Sequence, residues 1–450
     1  MQKTTLNTAT ALLLVMITGQ SAQAALNAVD PGPYLQENGG FAAWYQDTHG
    51  RVLDLCLSKA TSSRVPGAPD APSYMCALLP EPGFDDTQPV NFPTNFPGEA
   101  FWFTGDASIV DTASGIDLAY GSALEAAFAA EEVVEGDQVS FARIRIRVDV
   151  PTAGTYIVTH PYGTEVFEVD AADVGGRAIN MTRDIGIGAP QTYDGALAGD
   201  VGPFLRSVNG PYTEPNPDTG VVETFIGDPN LLEEVTGSPF DTNYIRIQGP
   251  EGVDLRTDVF AVTGKLSAVG LTTPAKVERA TYSRKNGVSG VEAQQDVFLQ
   301  APPPPGTASF TDSSNVSVEM TEANTTGNWY GQSSSNPTTL PVTLNLSADN
   351  QLAIPNSTAA TVTTPLVDLV QIHSATYNPA NGQLTISASS SDETASPTLT
   401  VFSNGNDIGT LAGAGPIKTL TTNSTPIPPA QIRVESANGG SDLEEVIIQP

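Results

Sequence analysis

Residues 141–150 read FARIRIRVDV, and their alternation decides the fold class. Successive side chains of an extended chain point to opposite faces, so Ile144, Ile146, Val148 and Val150 share one side and Arg143, Arg145, Arg147 and Asp149 the other. The segment is a strand with one buried face. Pro151–Gly154 then turns the chain, and Thr155–His160 (TYIVTH) reads as the returning strand of a hairpin, followed by a third strand at Glu165–Asp170. Further strand patterns at Val221–Ile226, Asn243–Gln248 and Val259–Leu266, broken by Gly, Pro and Asp turns, predict a jelly-roll-like antiparallel β-sandwich over 140–272.

Upstream, residues 25–139 read as an irregular region in which aromatic segments (Phe41–Tyr45 and Phe101–Phe103) sit between turns. Arg51–Leu57 alternates well enough for a strand that reaches Cys56. Pro66, Pro69 and Pro72 make Ser63–Tyr74 a loop, because proline fixes φ and removes a donor. Cys56 and Cys76 are the chain's two cysteines, and an even pair across such a loop predicts a disulfide. The Ala, Leu and Glu content of Ser122–Val134 predicts one short helix, with Leu124 and Phe128 on a common face.

Downstream the sequence repeats. Val277–Ser283 (VERATYS) echoes Ile372–Asn378 (IHSATYN), with Ala375 lying 95 positions after Ala280. Two short-stranded units of this length are expected to be immunoglobulin-like sandwiches at 273–364 and 365–450, without the Cys-Trp-Cys arrangement of antibody domains. The segments WYQDTHGRVLDLCL, FARIRIRVDVPTAGTYIVTHPYGTE, GPFLRSVNGPY and IGDPN, together with the ATY repeats, resemble those of uncharacterised secreted bacterial proteins with C-terminal immunoglobulin-like modules. That resemblance implies no activity. The hairpin RIRIRVDVPTAGTYIV alone is also similar to one found in jelly-roll carbohydrate-binding modules.

The N-terminus gives the expected address. Lys3, the apolar run Ala9–Gly19 and the small residues Ala22-Gln23-Ala24 have the order of a signal peptide over 1–24, too short to span a bilayer. A secreted, cell-surface or periplasmic location follows, and no transmembrane segment is expected. Fifty acidic against 19 basic residues give a formal charge of −31, which repels nucleic-acid phosphate and excludes nucleic acid as a natural partner. The acidity reads as a solvating surface; calcium is the alternative, with ligands gathered from separate loops because no DxDxDG run occurs. No other cofactor is expected.

Candidate chemistry is sparse. The chain lacks GxSxG, HExxH, a phosphate-binding GxxxxGK[ST] and a dinucleotide loop, so it reads as non-enzymatic. Of three histidines, His373 is expected to be solvated, His49 to sit in a turn, and His160 to be structural or to meet a carboxylate or metal. Arg143, Arg145 and Arg147 either form a guanidinium ladder for an acidic polymer or pair across the sheet with Glu168 and Asp170, and pairing is the simpler reading. Trp102, with Phe101 and Phe103, belongs to the core or stacks on a sugar ring. Three roles remain in view: a secreted adhesin-like or stalk-like protein with a protein or glycan partner, a carbohydrate-binding sandwich, and a hydrolase with dispersed carboxylates. Open strand edges on tandem sandwiches would also permit self-association.

Overall fold

A computed structural model describes residues 25–449 except 69, 70, 80, 334 and 424–426. The expected leader at 1–24 lies outside the described residues. Among the described residues the helical pieces are three short 3-10 turns, at Gln36–Asn38, Asp194–Ala198 and Pro250–Gly252. The regular structure is otherwise β, built almost wholly of antiparallel pairs into several sheets. The protein is a multi-domain β-sandwich chain.

Three sheets make the first unit. A seven-stranded sheet runs in the order Arg206–Ser207, Glu233–Thr236, Val259–Thr263, Glu99–Asp111, Ile116–Phe128, Gln138–Val150, Gly175–Ile185. A four-stranded sheet contains Gly154–His160 and Ile245–Gln248, and a six-stranded sheet contains Trp44–Asp47, Val52–Asp54 and Val222–Phe225. One core joins all three: Tyr45 and Leu53 come from the third, Trp102, Leu124, Ile146 and Val262 from the first, and Val158 and Ile247 from the second. The boundary expected at 139/140 therefore has to be corrected. It falls inside the Gln138–Val150 strand, whose neighbour Ile116–Phe128 belongs to the region read as irregular.

The expected helix at 122–134 is also overturned. Ile116–Phe128 is a strand, paired along its length with Glu99–Asp111 and Gln138–Val150. Tyr120, Leu124, Ala126 and Phe128 enter the core from it, all at even spacing. Residues four apart share a face in either period, so Leu124 and Phe128 did not discriminate, and hydrogen bonding to two flanking strands overrides the helix preference of Ala and Glu.

Cys56 and Cys76 form the expected disulfide, with Cα atoms 5.4 Å apart. Closing this 20-residue separation contributes on the order of 3 kcal/mol through the unfolded chain. The loop is also clamped to the six-stranded sheet. Arg64 Nη1 lies 2.9 Å from Glu214 Oε1, its Nε donates to Asp228 Oδ2 at 3.0 Å, and its guanidinium stacks over the Tyr212 ring.

Two smaller sandwiches follow, each with a core of its own: Ala280, Tyr282, Val297, Phe310, Trp329 and Leu346 fill the first, Ile372, Tyr377, Leu384, Val401 and Val434 the second. Their opening strands, Lys276–Gly287 and Val370–Asn378, carry the same irregularity. The register slips between Val277 and Arg279 in one and between Ile372 and Ser374 in the other, which bulges out Glu278 and His373, 95 positions apart. Each opening strand is then closed on its other side by a parallel pair, Thr281 with Val367 and Thr376 with Ile447.

Candidate functional site

The three arginines lie on the face of the seven-stranded sheet turned away from the core. Register places Arg143 between Ala123 and Asp184, Arg145 between Gly121 and Thr182, and Arg147 between Ala119 and Asn180. One strand further, Thr104 stands opposite Ala123 and Asp106 opposite Gly121. The middle strand thus contributes only Ala119, Gly121 and Ala123 between a row of arginines and a Thr/Asp row. Low side chains there leave a trough of about 260 Å³, lined by Arg143 and Arg145, by the carboxylates of Glu99, Asp106 and Glu125, and by Thr104 and Phe101. Glycine at 121 keeps it open, since a Cβ there would come within 3.0 Å of Asp106 Oδ1.

The arginines differ in their partners. Arg143 is fixed by two carboxylates: Nη1 donates to Glu125 Oε2 at 2.9 Å, while Nε and Nη2 donate to Asp184 Oδ1 and Oδ2 at 2.7 and 2.9 Å. Arg145 and Arg147 make no ion pair among the described residues, and the Nε of each is buried without a partner. The nearby Arg145 charge, above all, lowers the Arg147 pKa, with Arg177 and Arg143 adding to it. Burial pushes the Glu125 carboxyl up, and the Arg143 charge opposes that rise. Asp106 is likewise pushed up by desolvation, though its exposed edge lets water limit the effect.

The expected pairing with Glu168 and Asp170 does not occur. After Val150 the chain crosses to the four-stranded sheet, so the strand beside the arginines is Gly175–Ile185. Glu168 instead accepts from Thr155 Oγ1 at 2.8 Å.

Trp102 and His160 also have to be withdrawn as ligand contacts, because both are 0% exposed. Trp102 Nε1 donates to the Ala42 carbonyl at 3.2 Å, and its ring meets Tyr45 and Phe41 edge-on in the core. His160 Nδ1 accepts from the Tyr162 N–H at 3.2 Å, and its Nε2 lies 3.9 Å from Glu165 Oε1. Burial lowers the His160 pKa, which keeps the ring neutral, while Glu165 falls to about 2 beside His160 and Arg183. His49 does sit in a turn, but a buried one, and His373 is an exposed bulge residue within 2.8 Å of Ser389 Oγ.

Among the described residues no three His, Cys, Asp or Glu side chains gather as a metal site, and no helix is long and apolar enough to cross a membrane. Sequence reasoning missed Asp106, Glu125 and the small-residue floor. The signal was present, as alternating Ala119, Gly121 and Ala123, but the helix reading of 122–134 hid it.

No family model matches this chain, and no curated protein does. Among solved structures it is similar to part of a 1.5-MDa bacterial ice-binding adhesin, with 12% identity, 69% of this chain and 91% of that one covered, and a TM-score of 0.16. It is also similar to a biofilm-associated protein BSP domain (9% identity, 76% of each chain, TM-score 0.19). A third likeness is to the Bacteroides ovatus mixed-linkage glucan utilization locus protein SGBP-B in complex with a heptasaccharide (8% identity, 69% and 63%, TM-score 0.18). Scores this low carry no argument about function.

Proposed function

We propose that this is a non-catalytic extracellular binding protein, released or held at the cell surface, that takes an acidic glycan along the outward face of the seven-stranded sheet. The two C-terminal sandwiches serve as a stalk or interaction array. The observation that carries the reading is the pair Arg145 and Arg147: Arg145 lines a trough floored by small residues, Arg147 follows it on the same face of the strand, and no carboxylate is bound to either among the described residues. A guanidinium matches the planar, two-oxygen geometry of a uronate or sulfate, and the low floor admits a sugar ring.

Titration with alginate, a polyuronate, and with neutral dextran tests the idea. At about 0.15 M salt the Debye length is about 8 Å, so the chain's overall negative charge is screened beyond the immediate contact. The expected result is saturable alginate binding that weakens at least tenfold in an Arg145→Ala, Arg147→Ala double variant, because each charge-assisted hydrogen bond contributes about 1.5 kcal/mol or more. Equal affinity for dextran, or an unaffected double variant, would sink the proposal.

A further inference from the structure

Where the first unit meets the first C-terminal sandwich lies a second cavity, partly open to solvent, of about 270 Å³. Two arginines line it, Arg51 from the turn after Trp44–Asp47 and Arg206 from the edge of the seven-stranded sheet. Apolar walls come from both units: Ile226 and Leu266 on one side, Ile354 on the other, with Asn356 beside it. No carboxylate is among the lining residues, in a chain with 50 acidic and 19 basic residues.

The charge balance at this spot is unusual. Neither guanidinium makes a hydrogen bond or ion pair among the described residues; Arg51 bonds through its backbone, its N–H donating to Asp47 Oδ1 at 2.8 Å and its carbonyl accepting the Asp47 N–H at 2.9 Å. Asp47, fully buried, is the one nearby counter-charge, and its second oxygen accepts the Phe204 N–H at 2.9 Å. His49 is neutral, its pKa lowered to about 3 by burial and then by Arg51 and Arg206. Two cations against one acid leave a net positive cavity. Burial, then repulsion from Arg51, brings Arg206 down to about 10, so it stays charged at neutral pH. Crowded, unpaired charges are costly unless a partner compensates them.

We propose that this inter-unit cavity binds a small organic carboxylate, with the anionic head between Arg51 and Arg206 and an apolar body against Ile226, Leu266 and Ile354. The arginine fork is suited to a carboxylate head. The volume falls just below the roughly 300–1,000 Å³ of drug-sized sites, which selects a ligand of few heavy atoms. Because Ile354 and Asn356 belong to the sandwich and both arginines to the first unit, the ligand would tie the two together.

Calorimetric titration of the purified protein with hexanoate, acetate and inorganic sulfate, each against sodium chloride of equal ionic strength, tests this. Hexanoate should bind saturably and at least tenfold more tightly than acetate or sulfate, and Arg206→Met should weaken it at least tenfold. Val269→Trp, at an exposed position on the cavity lining, should block the site equally and provides the readout if Arg206→Met fails to fold. Absence of saturable hexanoate binding, equal affinity for sulfate, or unchanged hexanoate binding in the folded variants would overturn the proposal.

Discussion

The chain has two joints, and they are built on different principles. Between the two C-terminal sandwiches the interface is a satisfied polar clamp. Arg284 Nη2 donates to Asp392 Oδ2 at 2.5 Å, Tyr282 Oη donates to the same oxygen at 3.0 Å, and Asn438 Nδ2 reaches both Tyr282 Oη and Asp392 Oδ2 at 2.9 and 3.2 Å. Backbone bonds run across it as well, from the Arg284 N–H to Ser391 O and from the Glu393 N–H to Arg284 O. Between the first unit and the first sandwich the contacts are neutral and spread out: Asn350 Nδ2 to His49 O, His49 Nε2 within 3.3 Å of Thr326 O, and Asn356 Nδ2 to Ala268 O. The unpaired arginines sit beside them. A network with every member satisfied fixes geometry, whereas one with charge to spare is suited to accept something.

The contrast breaks most sharply at Asp392. Its carboxylate is closed to solvent while Arg284 keeps an exposed edge, so Asp392→Ala should cost about 2–4 kcal/mol, somewhat less than removing one partner of a fully buried pair. Denaturant unfolding should show the second sandwich uncoupled from the first; a change under about 0.5 kcal/mol would mean the clamp is ornamental.

Acid should separate the joints in a defined order. His49 has a folded pKa of about 3, below its ordinary 6.5, so its contribution is present above 6.5 and is lost as pH falls toward 3, at about 1.4 kcal/mol per pH unit. Asp392, lowered below 3.8 by its hydrogen bonds from Arg284, Ala395 and Tyr282 against the opposing effect of burial, releases its contribution only below that value. Asp47, raised by burial, works in the opposite sense to His49, so the comparison must be made against His49→Gln. The protection of the Thr358 amide against hydrogen exchange, taken relative to an unfolded chain at the same pH, should fall between pH 6 and 4 in the native protein and much less in the variant, because this N–H bonds the Leu271 carbonyl across the first joint. The Arg284 and Glu393 amides should hold. Simultaneous loosening of both joints would defeat the distinction.

The smallest effect belongs to Ser391. Its hydroxyl donates to Tyr282 O and accepts the Leu369 N–H at 2.8 Å, and Ser391→Ala should cost about 1 kcal/mol, visible as a slightly lower thermal midpoint with the clamp otherwise intact.

Much of the architecture could be read from particular residues. The alternation through Ile144–Val150 fixed a strand and its buried face, and the ATY echo marked two units whose bulges at Glu278 and His373 coincide in register. Ser122–Val134 was misread because helix preference is local, while the two flanking strands that override it come from elsewhere in the chain. Trp102 could be assigned to core or surface only after pairing, since a bulge between Phe101 and Phe103 sets which aromatic faces inward.

The sequence by itself determined the β class, the disulfide pair, the acidity and the repeat, because each depends on composition, spacing or period along the chain. Only the tertiary structure decided that Arg143 is spoken for while Arg145 and Arg147 are not, and that Arg51 and Arg206, 155 positions apart in the numbering, line one cavity. Electrostatic partnership is a matter of ångströms in space, and separation along the chain does not encode it.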